Sequence, residues 1–155
     1  MSKTNAVRIL EASNIPHSLH TYEVDESDLS GITVANKISA EPDSVFKTLV
    51  TEGDKNGINV FCIPVTAELN LKKAAAASGN KKIEMIKVKD LQPLTGYIRG
   101  GCSPIGMKKN FPTYIEETAQ MFDKIYISAG IRGMQVCLSP INLARIVTAK
   151  FVDLL

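Results

Sequence analysis

The residues best suited to chemistry form a glycine-rich loop, Arg99-Gly100-Gly101-Cys102-Ser103-Pro104-Ile105-Gly106. Its three glycines leave the backbone free of Cβ atoms, so N–H groups can turn toward a bound group, which can approach the main chain closely. Pro104 fixes its own φ and restricts Ser103 to extended conformations, which favours a loop of defined shape. The same residues also suit a tight turn between strands, and their spacing leaves both interpretations open.

A lysine within an apolar run is the second candidate. Lys47 lies in the segment 45–50, VFKTLV, which we predict to be a strand. Strand alternation places Lys47 on the opposite face from Phe46 and Thr48. One interpretation is an ammonium that faces a pocket, where desolvation strengthens its attraction for a negatively charged oxygen. The other is a lysine that snorkels to solvent from an edge strand.

Other catalytic arrangements are missing from the sequence. His17 and His20 are the only histidines, and their spacing on a strand puts them on opposite faces, so we expect no metal site. No Walker, GxGxxG or GxSxG motif is present, and we expect no cofactor. Cys102 could act as a nucleophile, but the sequence shows no base near it. Such equipment suits an enzyme whose nucleophile is water or part of the substrate.

The composition is that of an ordinary soluble domain, with 155 residues, 45% hydrophobic, 22% charged and a net charge of +2. Because the net charge is small, a nucleic-acid surface would need local clustering of basic residues. No apolar run is long enough to span a bilayer, and the N-terminus leads into a helix pattern rather than a secretion signal. Three separated cysteines without a CxxC motif indicate a reducing, cytoplasmic setting. The lysines that could form a phosphate-facing surface are Lys72, Lys73, Lys81, Lys82, Lys87, Lys89, Lys108 and Lys109.

Short strands with helices between them must position these residues. A hairpin turn is expected at 54–57 and a helical turn at Pro42. The pattern predicts one mixed α/β domain over residues 1–155, with a largely antiparallel sheet. The predicted helices are 4–13, capped by Thr4, then 31–38, 71–77 with Gly79 as C-cap, a short turn at 88–91, and 139–146, capped by Ser139; the predicted strands are 18–24, 45–50, 60–65, 82–87, 95–98, 114–116, 124–128, 134–138 and 149–154.

Three blocks in the same order resemble the YbaK/EbsC deacylases, of the superfamily that includes the editing insertion domain of bacterial prolyl-tRNA synthetase. The blocks are 45–50, then 95–97 with 100–106, then 126–130 with Arg132-Gly133; segments 69–73 and 82–85 add to the match, which covers nearly the whole chain. The resemblance implies a mixed, partly barrel-like sheet with short flanking helices.

The resemblance also implies an activity. It is that of a free-standing editor that releases cysteine from mischarged proline tRNA and from cysteine tRNA. By the same resemblance, the expected partners are the acceptor end of an aminoacyl-tRNA and prolyl-tRNA synthetase, from which such editors gain their tRNA selectivity. The implied mechanism is attack of the substrate's own thiol on its ester carbonyl. A deacylase for alanyl-tRNA(Pro) or another small aminoacyl-tRNA, and a non-catalytic module that binds tRNA or a synthetase, are the alternatives.

Site residues follow from the same resemblance. It assigns Lys47 as the catalytic residue. Ser30, Gln135 and Cys137 depart from the family pattern, in which the first position often carries an aromatic residue and the other two often carry acids. The amino-acid preference and the oligomeric state are therefore left open. The implied substrate-binding residues are Tyr22, Thr48, Gly100, Gly101, Cys102, Ser103, Pro104, Gly106, Ser128, Ala129 and Gly130.

Overall fold

Two β-sheets form the frame of the molecule, which a computed structural model describes over residues 3–155. The strands are β1 (Ser18–Thr21), β2 (Phe46–Gly53), β3 (Gly57–Pro64), β4 (Ile83–Met85), β5 (Thr113–Glu116), β6 (Ile125–Ser128), β7 (Met134–Leu138) and β8 (Lys150–Val152). The smaller sheet has the order β1-β7-β6 and is antiparallel. The larger has the order β4-β2-β3-β5-β8, with antiparallel pairs around β2 and parallel pairs around β5. Met1 and Ser2 of the predicted domain lie outside the described residues.

Within residues 3–155, five α-helices flank the sheets, and the predicted caps of the first and last helices are confirmed. The hydroxyl of Thr4 accepts a hydrogen bond from the N–H of Val7, and Ser139 does the same for Asn142. Both caps satisfy backbone donors that the first helical turn leaves free. None of the helices in residues 3–155 is long and apolar enough to cross a membrane. The helices are α1 (Asn5–Ala12), α2 (Gly31–Lys37), α3 (Leu71–Ser78), α4 (Val88–Thr95) and α5 (Pro140–Val147), and 3-10 turns cover Pro42–Ser44 and Glu117–Met121.

The predicted alternation along β2 is confirmed by the way its two faces pack. Phe46 belongs to a larger apolar cluster that joins α1, α5 and the smaller sheet. Leu49 packs against a second cluster, in which α3 covers β3. The predicted hairpin at 54–57 connects β2 to β3. Strand β2 therefore packs on both faces, and this packing fixes the position of the Lys47 backbone in the fold.

The segment after α4 differs from its prediction as a strand. Thr95 is the last residue of α4, and Gly96 ends the helix in the left-handed conformation, with φ of 86°. The Thr95 hydroxyl donates to the Leu91 carbonyl and accepts from the Tyr97 N–H. The β-branched and aromatic residues of 95–98 favoured a strand, but the positive φ of Gly96 and these local bonds terminate a helix instead.

Strands predicted at 18–24 and 82–87 are shorter in the structure, at Ser18–Thr21 and Ile83–Met85. Conversely, the helical turn predicted at 88–91 extends to Thr95. An isolated parallel bridge between Val45 and Tyr126 links the two sheets just before β2 begins. The start of β2 therefore lies beside β6, although about 80 residues separate them in sequence.

Candidate active site

A cleft opens where the two sheets meet, and its volume is about 430 Å³. It lies between the start of α2, the first residues of β2, the glycine-rich loop and the adjoining ends of β6 and β7. The volume is in the range of small-molecule sites. Five of the residues predicted to form the site line this cleft, namely Lys47, Thr48, Gly100, Cys102 and Ser128.

Lys47 is half-buried in the lining, and its amine forms no hydrogen bond or salt bridge with any of residues 3–155. Arg99 is the second cationic residue of the cleft, and no Asp or Glu within the described chain lines it. The cleft is therefore positively charged. An ammonium without a protein partner, partly removed from water, is suited to attract a phosphate or a developing oxyanion.

The first half of the glycine-rich loop packs against the turn between β6 and β7. A Cβ on Gly101 would lie 3.0 Å from backbone atoms of Ile131 and Arg132. The Nε of Arg132 donates to the Arg99 carbonyl at 2.8 Å, which ties the two loops together. Arg132 was part of the motif that carried the family resemblance, but sequence reasoning did not assign it to the site. Its contact makes it a residue that positions the loop.

Main-chain donors at the cleft are available only in part. The N–H of Gly101 donates to the Ile98 carbonyl at 2.9 Å, and Gly101 does not line the cleft. The N–H groups of Gly100 and Cys102 donate to no acceptor among residues 3–155. Gly100 has a φ of 85°, a conformation that side chains disfavour. The N–H of Arg99, which also lines the cleft, has no acceptor there either, so all three loop residues of the lining keep an N–H without a partner among residues 3–155.

The second half of the loop faces away from the cleft. Ser103 is fully buried, and its hydroxyl accepts from the N–H of Ile105 at 3.2 Å. Pro104 and Gly106 line a separate cavity of about 250 Å³ beside α1. Asn5 on α1 donates to the Gly106 carbonyl at 3.0 Å. The structure thus does not bring these three predicted binding residues to the cleft, and it places them where they anchor the loop.

Three further predicted residues do not line the cleft. Tyr22 follows β1, donates its N–H to the Gly133 carbonyl at 2.9 Å and lines a recess of about 10 Å³ that shares Gly100 with the cleft. The carbonyl of Ala129 accepts from the Thr4 hydroxyl at 2.6 Å. A Cβ on Gly130 would lie 2.9 Å from the Tyr97 ring. Direct contact of these residues with a substrate stays a prediction.

Two of the three positions that depart from the family pattern line the cleft, Ser30 and Gln135. Gln135 lies opposite Ser128 across the β6–β7 pair and is 6% exposed. Its Oε1 has no hydrogen-bond partner among residues 3–155, and such a buried acceptor costs about 1–3 kcal/mol unless a ligand supplies a donor. Cys137 is buried opposite Tyr126, outside the lining. Sequence reasoning noted Gln135 only as a departure.

The groups lining the cleft include no ready pair of nucleophile and base. Burial raises the pKa of the Cys102 thiol to about 12, which the Thr95 hydroxyl counteracts only in part. The Ser128 hydroxyl accepts from the Gly130 N–H at 3.1 Å, and neither histidine lines the cleft. Within residues 3–155, no group of three His, Cys, Asp or Glu side chains is placed to hold a metal ion. What this lining offers is charge stabilisation and positioning.

Comparison with known proteins identifies relatives of this chain. The chain is 49% identical over 152 residues to the Enterococcus faecalis protein named "Putative Cys-tRNA(Pro)/Cys-tRNA(Cys) deacylase EbsC", and the match covers 98% of this chain and 93% of that protein. Among solved structures, "Crystal structure of a putative trans-editing enzyme for prolyl tRNA synthetase" superposes with a TM-score of 0.82 at 23% identity, covering 99% of this chain and 98% of that one.

A protein used for computational grafting of epitope backbones superposes with a TM-score of 0.85 at 22% identity, over 99% of this chain and 97% of that one. At such identities the two structures establish a shared fold alone. The model of the aminoacyl-tRNA editing domain matches residues 30–146, a span that contains Lys47, the whole glycine-rich loop and Gln135. With this match and the 49% identical relative, the chain belongs to the aminoacyl-tRNA editing domain family.

Proposed function

We propose that this protein is a trans-editing deacylase that releases cysteine from mischarged Cys-tRNA(Pro) and from Cys-tRNA(Cys). The proposal is supported by membership of the editing family and by the name of the 49% identical relative. The observation that carries it is the cleft itself, which combines Lys47 and Arg99 with the N–H groups of Gly100 and Cys102. The cations suit the negatively charged tRNA, and the N–H donors suit the carbonyl oxygen of an ester on its terminal ribose.

The absence of a base in the described cleft lining favours a reaction in which the substrate provides the nucleophile. The thiol sulfur of the cysteinyl group bonds to its own ester carbonyl carbon, and the bond from that carbon to the ribose oxygen breaks. The thiol proton ends on the ribose oxygen, so the tRNA leaves with a free hydroxyl. Water then opens the cyclic thioester to give free cysteine. Intramolecular attack has a large effective concentration, which lowers the demand on the protein.

In this scheme the protein orients the ester and stabilises negative charge on the carbonyl oxygen. Lys47 is the proposed source of the positive charge, and the Gly100 and Cys102 N–H groups are proposed donors to the same oxygen. The unpartnered Oε1 of Gln135 offers an acceptor in the same cleft. We further propose prolyl-tRNA synthetase as the partner that supplies tRNA selectivity, and the cytoplasm as the location, where the three free thiols stay reduced.

Hydrolysis of a panel of purified aminoacyl-tRNAs tests this function. The purified protein is incubated with Cys-, Ala-, Ser- and Pro-tRNA(Pro), and with Cys-tRNA(Cys), and the released amino acid is measured. We expect release of cysteine from both tRNAs and little from serine or alanine esters, because these lack the sulfur nucleophile. Release of alanine instead would indicate an alanyl-tRNA(Pro) editor. Lack of any release, with tRNA binding retained, would indicate a non-catalytic binding module.

A further inference from the structure

A second groove continues the cleft on the side of α4. It has a volume of about 210 Å³ and shares five lining residues with the cleft, among them Thr48, Arg99 and Cys102. Beyond these it runs between β4 and the first turns of α4. The shared residues therefore place the groove directly beside the cleft.

The groove is apolar, unlike the cleft that it joins. Its own lining includes Met85, Ile86, Val88 and Leu91, and no acidic residue of the described chain. Met85 is 49% exposed and Val88 is 65% exposed, although both are large apolar side chains. Apolar surface beside a cationic cleft favours a ligand that is itself apolar on one part and anionic on another.

Charges around the groove limit the direction in which an anionic ligand can extend. Lys87 and Arg99 border it, and neither forms a salt bridge within residues 3–155. On its far side, a neighbouring cavity is bordered by Glu52, Glu84 and Asp90, and Lys87 lines this cavity as well as the groove. Positive charge therefore predominates in the lining of the groove and negative charge in that of the cavity, which favours a polyanion in the groove. The change of sign across Met85 and Ile86, which line both spaces, marks the end of the site.

We propose that this groove seats the nucleobase of the 3′-terminal nucleotide of an RNA, with Lys87 and Arg99 facing the adjoining phosphates. The inference rests on the proposed function, since it takes the cleft as the place of the aminoacyl ester. The terminal ribose then lies beside Thr48, Arg99 and Cys102, which line both spaces, and the base, joined to the ribose by one glycosidic bond, lies against the apolar side chains of the groove. Burial of the faces of a base against apolar side chains removes apolar surface from water and stabilises the complex whatever the identity of the base.

Two matched substrates test the seat of the base. One is a cysteinyl ribo-oligonucleotide ending in CCA, and the other has an abasic ribose in place of the terminal adenosine. We expect kcat/KM for the adenosine-ended substrate to exceed that for the abasic one by about tenfold, because the abasic substrate loses the burial of one base against apolar side chains. Met85→Glu and Val88→Glu remove most of this preference, because each puts a carboxylate at the exposed mouth of the groove. Met121→Glu is the control, since Met121 is 81% exposed and lies outside the groove.

Equal rates of the wild-type protein on both substrates overturn the inference, as does a full preference retained by Met85→Glu. Binding of the same oligonucleotides without the cysteinyl ester, measured by fluorescence anisotropy, separates this outcome from failure of the proposed function. In a further outcome, the wild-type protein hydrolyses neither ester yet binds the adenosine-ended RNA more tightly than the abasic RNA. If Met85→Glu then abolishes that difference in affinity, the seat of the base is supported and the deacylase function is contradicted. If neither rate nor binding distinguishes the two RNAs, the groove does not seat the base.

Discussion

The two halves of the glycine-rich loop serve different surfaces of the molecule. Gly100 and Cys102 line the cleft that also contains Lys47. Pro104 and Gly106 line the cavity beside α1, and Ser103 between the halves is fully buried. Glycines occur in both halves, but for different reasons. Gly101 allows close approach to the backbone of Ile131 and Arg132, whereas Gly106 has a φ of 78° and packs against Asn5.

This difference teaches that a contiguous motif need not be a contiguous site. A loop that presents main-chain N–H groups must be held rigid, because a mobile donor loses its positioning on each encounter with substrate. Here the anchoring half supplies that rigidity through the bond from Asn5 to the Gly106 carbonyl and the bond from the Tyr97 hydroxyl to the Ile105 carbonyl. Substitutions that remove a group of the proposed reaction on the cleft side should therefore change activity, and those on the anchoring side should change stability.

The largest expected effect is on the cleft side. Lys47→Ala should lower kcat/KM for Cys-tRNA(Pro) by about 10²–10³, the range for removing one group that stabilises an oxyanion. Because the amine has no partner within the described chain, the unfolding free energy should change by less than about 1 kcal/mol. Single-turnover deacylation and thermal unfolding measure the two effects. Lys55→Ala, at the exposed hairpin turn, is the control, and equal activity of both variants would remove the role given to Lys47.

On the anchoring side the expected effect is on stability. In Gly106→Ala the new Cβ lies 2.7 Å from Asn5 Nδ2 and 3.0 Å from the Tyr97 hydroxyl, at a φ of 78°. Gly79→Ala is a close control, because Gly79 has a φ of 76° and a Cβ there meets nothing within 4 Å. We expect Gly106→Ala to lose about 1–3 kcal/mol more than Gly79→Ala, which is the cost of overpacking.

Denaturant unfolding of the two glycine variants measures this difference. The folded fraction of Gly106→Ala should keep the wild-type preference for cysteinyl over alanyl esters, since the site groups are untouched. Equal destabilisation of both variants would mean that strain at positive φ, rather than packing against α1, dominates. A changed preference would bring Gly106 into the site after all.

The smallest effect is expected at Cys102, where the cleft contains a thiol that the proposed reaction does not use. Burial raises the pKa of its thiol to about 12, so the thiolate fraction at pH 8 is about 10⁻⁴. For a thiol with a pKa of 9.0 this fraction is about 10⁻¹. Alkylation of Cys102 should therefore be slow at pH 8 and accelerate as the pH rises toward 12. Cys102→Ala should leave the rate of deacylation unchanged. Rapid alkylation at neutral pH, together with an inactive Cys102→Ala variant, would restore the thiol as nucleophile.

Much of the fold was predictable because it depends on local signals. Caps at Thr4 and Ser139, the hairpin turn at 54–57 and the C-cap at Gly79 are each dictated by a few adjacent residues, and all are confirmed. The strand prediction for residues 95–98 was wrong, because one glycine at positive φ ends a helix there despite the β-branched and aromatic residues around it. The sorting of eight strands into two sheets was beyond local reasoning, because pairings such as β3 with β5 join residues about 50 positions apart.

For the site, residue types and the family motif were sufficient to single out Lys47 and the glycine-rich loop, since an ammonium in an apolar strand and a run of glycines are unusual in themselves. The division of the loop, the role of Arg132 and the orphan acceptor of Gln135 depend on which surfaces meet in three dimensions. A one-dimensional pattern records which groups are present but not which of them are already satisfied. Tertiary packing alone decided that, because burial and hydrogen-bond partners arise only when distant segments come together.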